Sequence, residues 1–135
     1  MKAEDVAPLV GSAGCVACVA ALVAPFVLIP DPGPELGLYY AFGPVGGAAP
    51  GFLAPIAIVV FLAGRRGRTD PVTAAGLTLV LGLAMLATVA SWALAVDPEL
   101  VFSFPVAWMG YHRWVVLAVT AVVPATAGVY ARAVL

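Results

Sequence analysis

The chain has 135 residues, of which 64% are hydrophobic and 10% charged, far from the about 45–50% apolar and about 25% charged residues of soluble domains. So few charged side chains cannot cover the surface of a small globule, and this excludes a soluble globular protein, a disordered chain and a disulfide scaffold. Six Lys and Arg against seven Asp and Glu give a net charge of −1 without a basic face, which excludes a typical nucleic-acid binder. The composition indicates an integral membrane protein.

Four long uncharged stretches follow one another along the chain, and a membrane helix needs about 20 mostly apolar residues to cross about 30 Å of hydrocarbon. With their start and stop signals, they predict membrane-spanning helices at about 6–29, 46–64, 71–96 and 113–133. Thr69 or Asp70 is expected to cap the third helix, and the Asp97-Pro98 pair to end it. We therefore predict an all-α integral membrane four-helix bundle of one domain, up-down-up-down, with an aromatic-rich outer loop cap.

Prolines and glycines modify this pattern. They crowd residues 43–49, so we expect an ordered loop there and a regular second helix that begins near Pro50. Pro25 and Pro124 are expected to distort the first and last helices, with neighbouring groups bonding the carbonyls that lose their partners.

The basic residues predict the orientation. With four spans both termini share one side, and that side holds most of the basic residues: Lys2, Arg65, Arg66, Arg68 and Arg132. The positive-inside rule places both termini in the cytoplasm of a multi-pass protein of the cell membrane. Arg65, Arg66 and Arg68 are then topology anchors, with contact to anionic lipid or to a partner as the alternative. The acidic residues Glu4 and Asp5 and the length of the apolar stretch that follows are not typical of a cleavable signal peptide.

Cys15 and Cys18 form a C-x-x-C pair within the first predicted helix. The spacing places both thiols on one helix face and suits a redox pair or half of a metal site. Apolar flanks make a thiol inert, however, and a zinc site needs four ligands, whereas the chain has one distant histidine. We interpret both cysteines as small packing residues, and we predict no metal ligand and no cofactor.

The two outer loops carry the candidate site. His112 and Arg113 begin the last helix, and Arg113 is the one basic residue on the acidic outer side, which indicates a carboxylate partner. We predict a structural latch, meaning side chains that link the two outer loops, or a contact with a ligand or partner. A catalytic role is the third alternative. The residues predicted to take part are His112, Arg113, Tyr111, Trp114, Asp97, Glu99, Tyr39 and Tyr40.

Short motifs add a family resemblance that covers essentially the whole chain. They are Gly64-Arg-x-x-Arg68-Thr-Asp-Pro71, Tyr39-Tyr40 and Tyr111-His-Arg-Trp114, in a chain that favours Arg over Lys. Together they resemble a family of small four-helix membrane proteins from halophilic archaea, whose function is uncharacterised. The resemblance implies a topology and a habitat, and it implies no activity.

The sequence thus favours a non-enzymatic function, with no catalytic residue. We predict a structural or accessory subunit that associates with other membrane proteins, with itself or with membrane lipid. The first alternative is binding or transport of a hydrophobic or lipidic small molecule between kinked helices. The second is membrane thiol or haem redox chemistry at the cysteines or at His112.

Overall fold

The computed structural model describes residues 2–31 and 33–135, and within these ranges the protein is all-α, with six helices and no strand. The helices are α1 (Ala3–Leu28), α2 (Pro34–Ala41), α3 (Ala49–Arg65), α4 (Pro71–Ala95), α5 (Pro98–Phe102) and α6 (Met109–Val134). Three of them in this part of the chain, α1, α4 and α6, are long and apolar enough to cross a membrane. The fourth apolar helix, α3, has 17 residues.

Side-chain caps determine where two of the helices begin. Pro71 occupies the first turn of α4, and the Oδ2 atom of Asp70 accepts from the backbone N–H and from the hydroxyl of Thr73, each at 3.0 Å. The expected cap at Asp70 is confirmed. The Oδ1 atom of Asp97 accepts from the backbone N–H of Glu99 at 3.0 Å and starts α5. One aspartate-proline pair therefore ends α4 and begins the next helix.

The segment before α3 is more ordered than the sequence suggested. Regular helix resumes at Ala49, close to the expected start near Pro50. The preceding outer segment, however, was predicted as loop and contains the eight-residue helix α2. Pro34 at its start and Glu35 in its first turn favour helix, but so short a helix needs tertiary contacts. Tyr39, completely buried, provides them.

The four longest helices form a ring in which α1 and α4 each pack on both α3 and α6. Neighbouring helices run antiparallel. In the α1–α3 pair, for example, Gly11 lies against the ring of Phe61 while Leu22 lies beside Gly51. The contacts of the other three pairs are antiparallel in the same way, with the end of one helix beside the start of its neighbour.

The antiparallel ring gives the molecule two different ends. At the arginine end, Asp5, Arg65, Pro71 and Tyr130 line one small cleft and so bring together an end of each of the four ring helices. At the opposite end, which we call the capped end, α2 and α5 lie over the remaining helix ends.

Small residues let the helix backbones approach. Gly82 of α4 lies directly on the backbone of Pro124 in α6, with no room for a β-carbon between them. At the arginine end, Gly64 of α3 lies equally close to the side chains of Ala74 and Tyr130. Such contacts hold helices together in lipid, where van der Waals packing replaces the hydrophobic effect.

Gly82→Ala is expected to lower the free energy of unfolding by about 1–3 kcal/mol, because the new methyl group forces the backbones of α4 and α6 apart. The measurement is unfolding of the purified protein in mild detergent with increasing dodecyl sulfate, followed by tryptophan fluorescence. Gly76→Ala is the matched control on the same helix, since a β-carbon at Gly76 meets open space. Equal stability of the two variants would contradict the close α4–α6 contact.

Candidate functional site

The capped end is organised around Tyr39 and Tyr40, which α2 carries over the ring of helices. Trp92 of α4 is completely buried, and its indole Nε1–H donates to the backbone carbonyl of Tyr39 at 2.8 Å. The Tyr40 ring stacks on the indole with centroids 5.5 Å apart, and the Tyr39 ring meets it edge-on at 5.1 Å. Aromatic pairs in these geometries add stability beyond the area they bury.

His112 joins α6 to this cluster through both ring nitrogens. Its Nε2 atom lies 2.6 Å from the backbone carbonyl oxygen of Ala21 in α1, and its Nδ1 atom lies 2.8 Å from the hydroxyl of Tyr39. A carbonyl oxygen only accepts, so Nε2 carries the proton. In the neutral ring Nδ1 is then the acceptor, and the Tyr39 hydroxyl donates to it.

A proline explains why the carbonyl of Ala21 needs a donor. Pro25 lies four residues further along α1 and has no N–H, so this carbonyl lacks the usual helical bond from the residue four positions ahead. His112 supplies the missing donor, and the hydroxyl of Tyr40 donates to the adjacent carbonyl of Leu22 at 2.5 Å. The expectation that neighbouring groups bond the freed carbonyls is confirmed at Pro25.

We call the side chains of Tyr39, Tyr40, Trp92 and His112 the cap network. It connects α2 to α1, α4 and α6 through hydrogen bonds. Burial raises the pKa of Tyr39 and of Tyr40 above the usual value, so both phenols stay protonated donors at physiological pH. The arrangement is suited to holding helices in place.

Glycines of the loop before α3 fit against the same tryptophan. Gly47 lies against the Trp92 indole with no room for a β-carbon, and Gly43, at a φ of 82°, lies against the backbone of Trp92. A side chain at either position would displace the loop from α4.

The structure brings together three of the residues predicted for the latch, Tyr39, Tyr40 and His112. Two others face outward from the cap network: the Tyr111 side chain is 72% exposed and Trp114 is 41% exposed.

Arg113 differs from its expected role. Its Nη1 atom donates to the backbone carbonyl of Val96 at 3.1 Å, and the guanidinium carbon lies 5.0 Å from the centre of the Trp114 ring. The sequence predicted a carboxylate partner, but Asp97 uses its carboxylate to cap α5, and Glu99 is exposed. The α4 helix ends with unpaired carbonyls, and Arg113 bonds one of them.

The predicted topology anchors lie together at the arginine end. The Nε atom of Arg65 donates to the backbone carbonyl of Asp5 at 3.0 Å and so joins the end of α3 to the start of α1. Arg66 and Arg68 are exposed.

Cys15 and Cys18 are completely buried thiols on the face of α1 that packs against its neighbours. The Cys18 Sγ atom lies 3.2 Å from the hydroxyl oxygen of Thr120 in α6. Over residues 2–31 and 33–135, no group of three or more His, Cys, Asp or Glu side chains is placed to hold a metal ion.

Sequence reasoning missed two features of the capped end. It did not single out Trp92, although a tryptophan near the end of an apolar helix is a signal for the interface. It also did not locate an apolar groove of about 300 Å³ between α1 and α3, although it expected kinked helices to leave a cleft. Its lining includes Val19, Val23, Phe26, Tyr40, Gly51 and Phe52.

The whole chain, residues 1–135, matches the family of unknown function DUF7548, and the chain belongs to that family. No curated protein and no solved structure matches the chain significantly.

Tyr39→Phe is expected to lower the free energy of unfolding by about 1–3 kcal/mol, because it leaves the buried Nδ1 atom of His112 without its donor. The measurement is detergent unfolding followed by fluorescence. Tyr111→Phe is the matched control, since that side chain is 72% exposed, and it should change stability by less than about 0.5 kcal/mol. If both variants unfold like the wild type, the Tyr39–His112 bond contributes nothing to the cap.

Proposed function

We propose that the protein is a four-helix, up-down-up-down integral membrane protein in which α3 is the fourth membrane-spanning helix. Its 17 residues measure about 25 Å, somewhat less than the about 30 Å hydrocarbon core. The ordered loop before it, held against Trp92, supplies the rest of the crossing. Packing of α3 between α1 and α4, antiparallel to each, supports this arrangement.

The proposal places the protein in the cell membrane of a halophilic archaeon, with both termini in the cytoplasm. The orientation is supported by the charge distribution, since Arg65, Arg66 and Arg68 lie at the arginine end with the terminal segments. The habitat rests on the resemblance of the short motifs.

The proposed function is that of a structural or accessory subunit that associates with other membrane proteins, with itself or with lipid. The observation that carries it is the use of the polar side chains at the capped end. His112, the only histidine of the chain, has both nitrogens in bonds that hold helices together. The phenols of Tyr39 and Tyr40 are used in the same way. These groups maintain a rigid shape, and the outward surface remains for interaction.

That outward surface is strongly apolar along every ring helix. Among the most exposed large side chains are Val16 and Val27 of α1, Phe52 and Val59 of α3, Val80 and Leu94 of α4, and Val115 and Val129 of α6. A surface of this kind requires contact with lipid or with the apolar face of another membrane protein.

A second candidate function is binding of a hydrophobic small molecule in the groove between α1 and α3. The groove has a volume of about 300 Å³ and lies beneath Tyr40, where Gly51 of α3 leaves space beside α1. Its lining is almost entirely apolar, which suits a lipid chain or another hydrophobic ligand.

The membrane arrangement predicts that both termini face the same side. Lys2→Cys and Leu135→Cys, each introduced separately into the wild-type chain, should react with a membrane-impermeant maleimide only after the cells are permeabilised. Glu99→Cys, exposed at the capped end, should react in intact cells. The wild type is the background control, because its two cysteines are completely buried. Lys2→Cys and Leu135→Cys on opposite sides would mean an odd number of crossings and would refute the proposal for α3.

The accessory function predicts a defined complex in native membranes. We expect gentle purification followed by native mass spectrometry to show the chain in fixed stoichiometry with a second membrane protein or with itself. An absorption spectrum of the same sample tests for a pigment or haem. A monomer that carries neither a protein partner nor bound lipid would contradict the accessory function. The second candidate would be established by a monomer that retains one hydrophobic molecule, provided that the Gly51→Leu variant lacks this molecule and the Gly76→Leu variant keeps it.

A further inference from the structure

A second cleft of the capped end lies apart from the cap network, between α5 and the first turns of α6. Its volume is about 290 Å³. The cleft is lined by Pro98, Val101 and Phe102 from α5, Ala107 from the connecting segment, and Gly110, Tyr111 and Arg113 from α6. The cleft combines apolar walls with one guanidinium group, and its rim is strongly exposed, with Phe102 at 83% and Tyr111 at 72%.

The charge of Arg113 is not neutralised by any contact in the part of the chain that the structure describes. Its hydrogen bond goes to the carbonyl oxygen of Val96, and its Nε atom is buried without a partner. A guanidinium has five N–H donors and pairs best with a carboxylate or a phosphate, which accept two donors at once. Arg113 therefore has donors to spare at the edge of an open cleft.

The start of α6 adds to the positive potential of the guanidinium. Arg113 lies near the start of α6, whose first turn holds no acidic residue and whose N-terminus has no side-chain cap. The N-terminal end of a helix favours anions. At the start of α5 the Asp97 carboxylate is bonded to the N–H of Glu99, and neither side chain belongs to the lining.

We infer that this cleft binds the phosphate group of a membrane lipid, with the phosphate on Arg113 and the first part of a lipid chain along Val101 and Phe102. The start of a membrane-spanning helix lies at the depth of the lipid headgroups, which is where phosphates are concentrated. Gly110 opens the floor of the cleft, since a β-carbon there would meet nothing within 4 Å. The inference depends on the membrane position proposed for α6 and not on the accessory function.

The test uses two lipids that differ only in the phosphate. Purified protein in mild detergent is titrated with phosphatidic acid or with the diacylglycerol of the same chains, and native mass spectrometry measures the bound fraction. We expect one phosphatidic acid per chain, bound at least about tenfold more tightly than the diacylglycerol. Equal binding of the two lipids would overturn the inference. Inorganic phosphate is titrated separately, and binding as tight as that of the lipid would assign the site to free phosphate instead.

Two variants test the site by different means. Arg113→Gln removes the charge and should weaken binding of phosphatidic acid about tenfold or more. Gly110→Leu keeps the Arg113–Val96 contact but fills the cleft, and it should weaken binding to a similar extent. Arg66→Gln is the matched control, because it removes the same charge from an exposed position at the other end of the molecule.

The results of these variants separate the site from folding and from the accessory function. Circular dichroism and detergent unfolding verify that both variants fold. Wild-type affinity in folded Arg113→Gln or in folded Gly110→Leu would refute the site. If a variant loses phosphatidic acid binding but still purifies from native membranes in its complex, the lipid site is established independently of the partner.

Discussion

The structure depends on one constraint, which is that a backbone carbonyl in an apolar environment has to find a hydrogen-bond donor. Pro25 removes the donor that the carbonyl of Ala21 would have received within α1. In lipid, water does not replace it, and an unbonded carbonyl costs several kcal/mol. The donor comes from His112, so the start of α6 is bonded to α1 at the carbonyl that this proline leaves free.

The position of α2 follows from the same contact. Once Nε2 of His112 donates to α1, its Nδ1 atom needs a donor, and Tyr39 provides one. Tyr40 then meets the carbonyl of Leu22, and Trp92 bonds the backbone of α2. A helix of eight residues is not stable by itself, but here its position is fixed by hydrogen bonds to three other helices. Tyr40 also lines the groove between α1 and α3.

Much of this structure could be predicted from the sequence, and the remainder has a physical explanation. Hydropathy locates α1, α4 and α6, and the caps at Asp70 and Asp97 act locally, so each is evident from neighbouring residues. The need for a hydrogen-bond donor near Pro25 is likewise evident from the neighbouring residues. The identity of the donor is not, because His112 is 91 residues away from Ala21. Helix α2 was predicted as loop for the same reason, since its stability comes from distant contacts.

His112 and Arg113 show that one polar side chain can be used entirely in holding helices together while its neighbour keeps donors free for binding. The acidic outer segments suggested a carboxylate partner, but the Asp97 carboxylate caps α5 and the Arg113 guanidinium bonds the Val96 carbonyl at the end of α4. His112 is left with no free ring nitrogen, whereas a guanidinium with five donors is not exhausted by one carbonyl. The two adjacent residues therefore differ in what remains available. His112 holds helices together, and Arg113 retains the charge and the donors that an anion at the membrane surface requires.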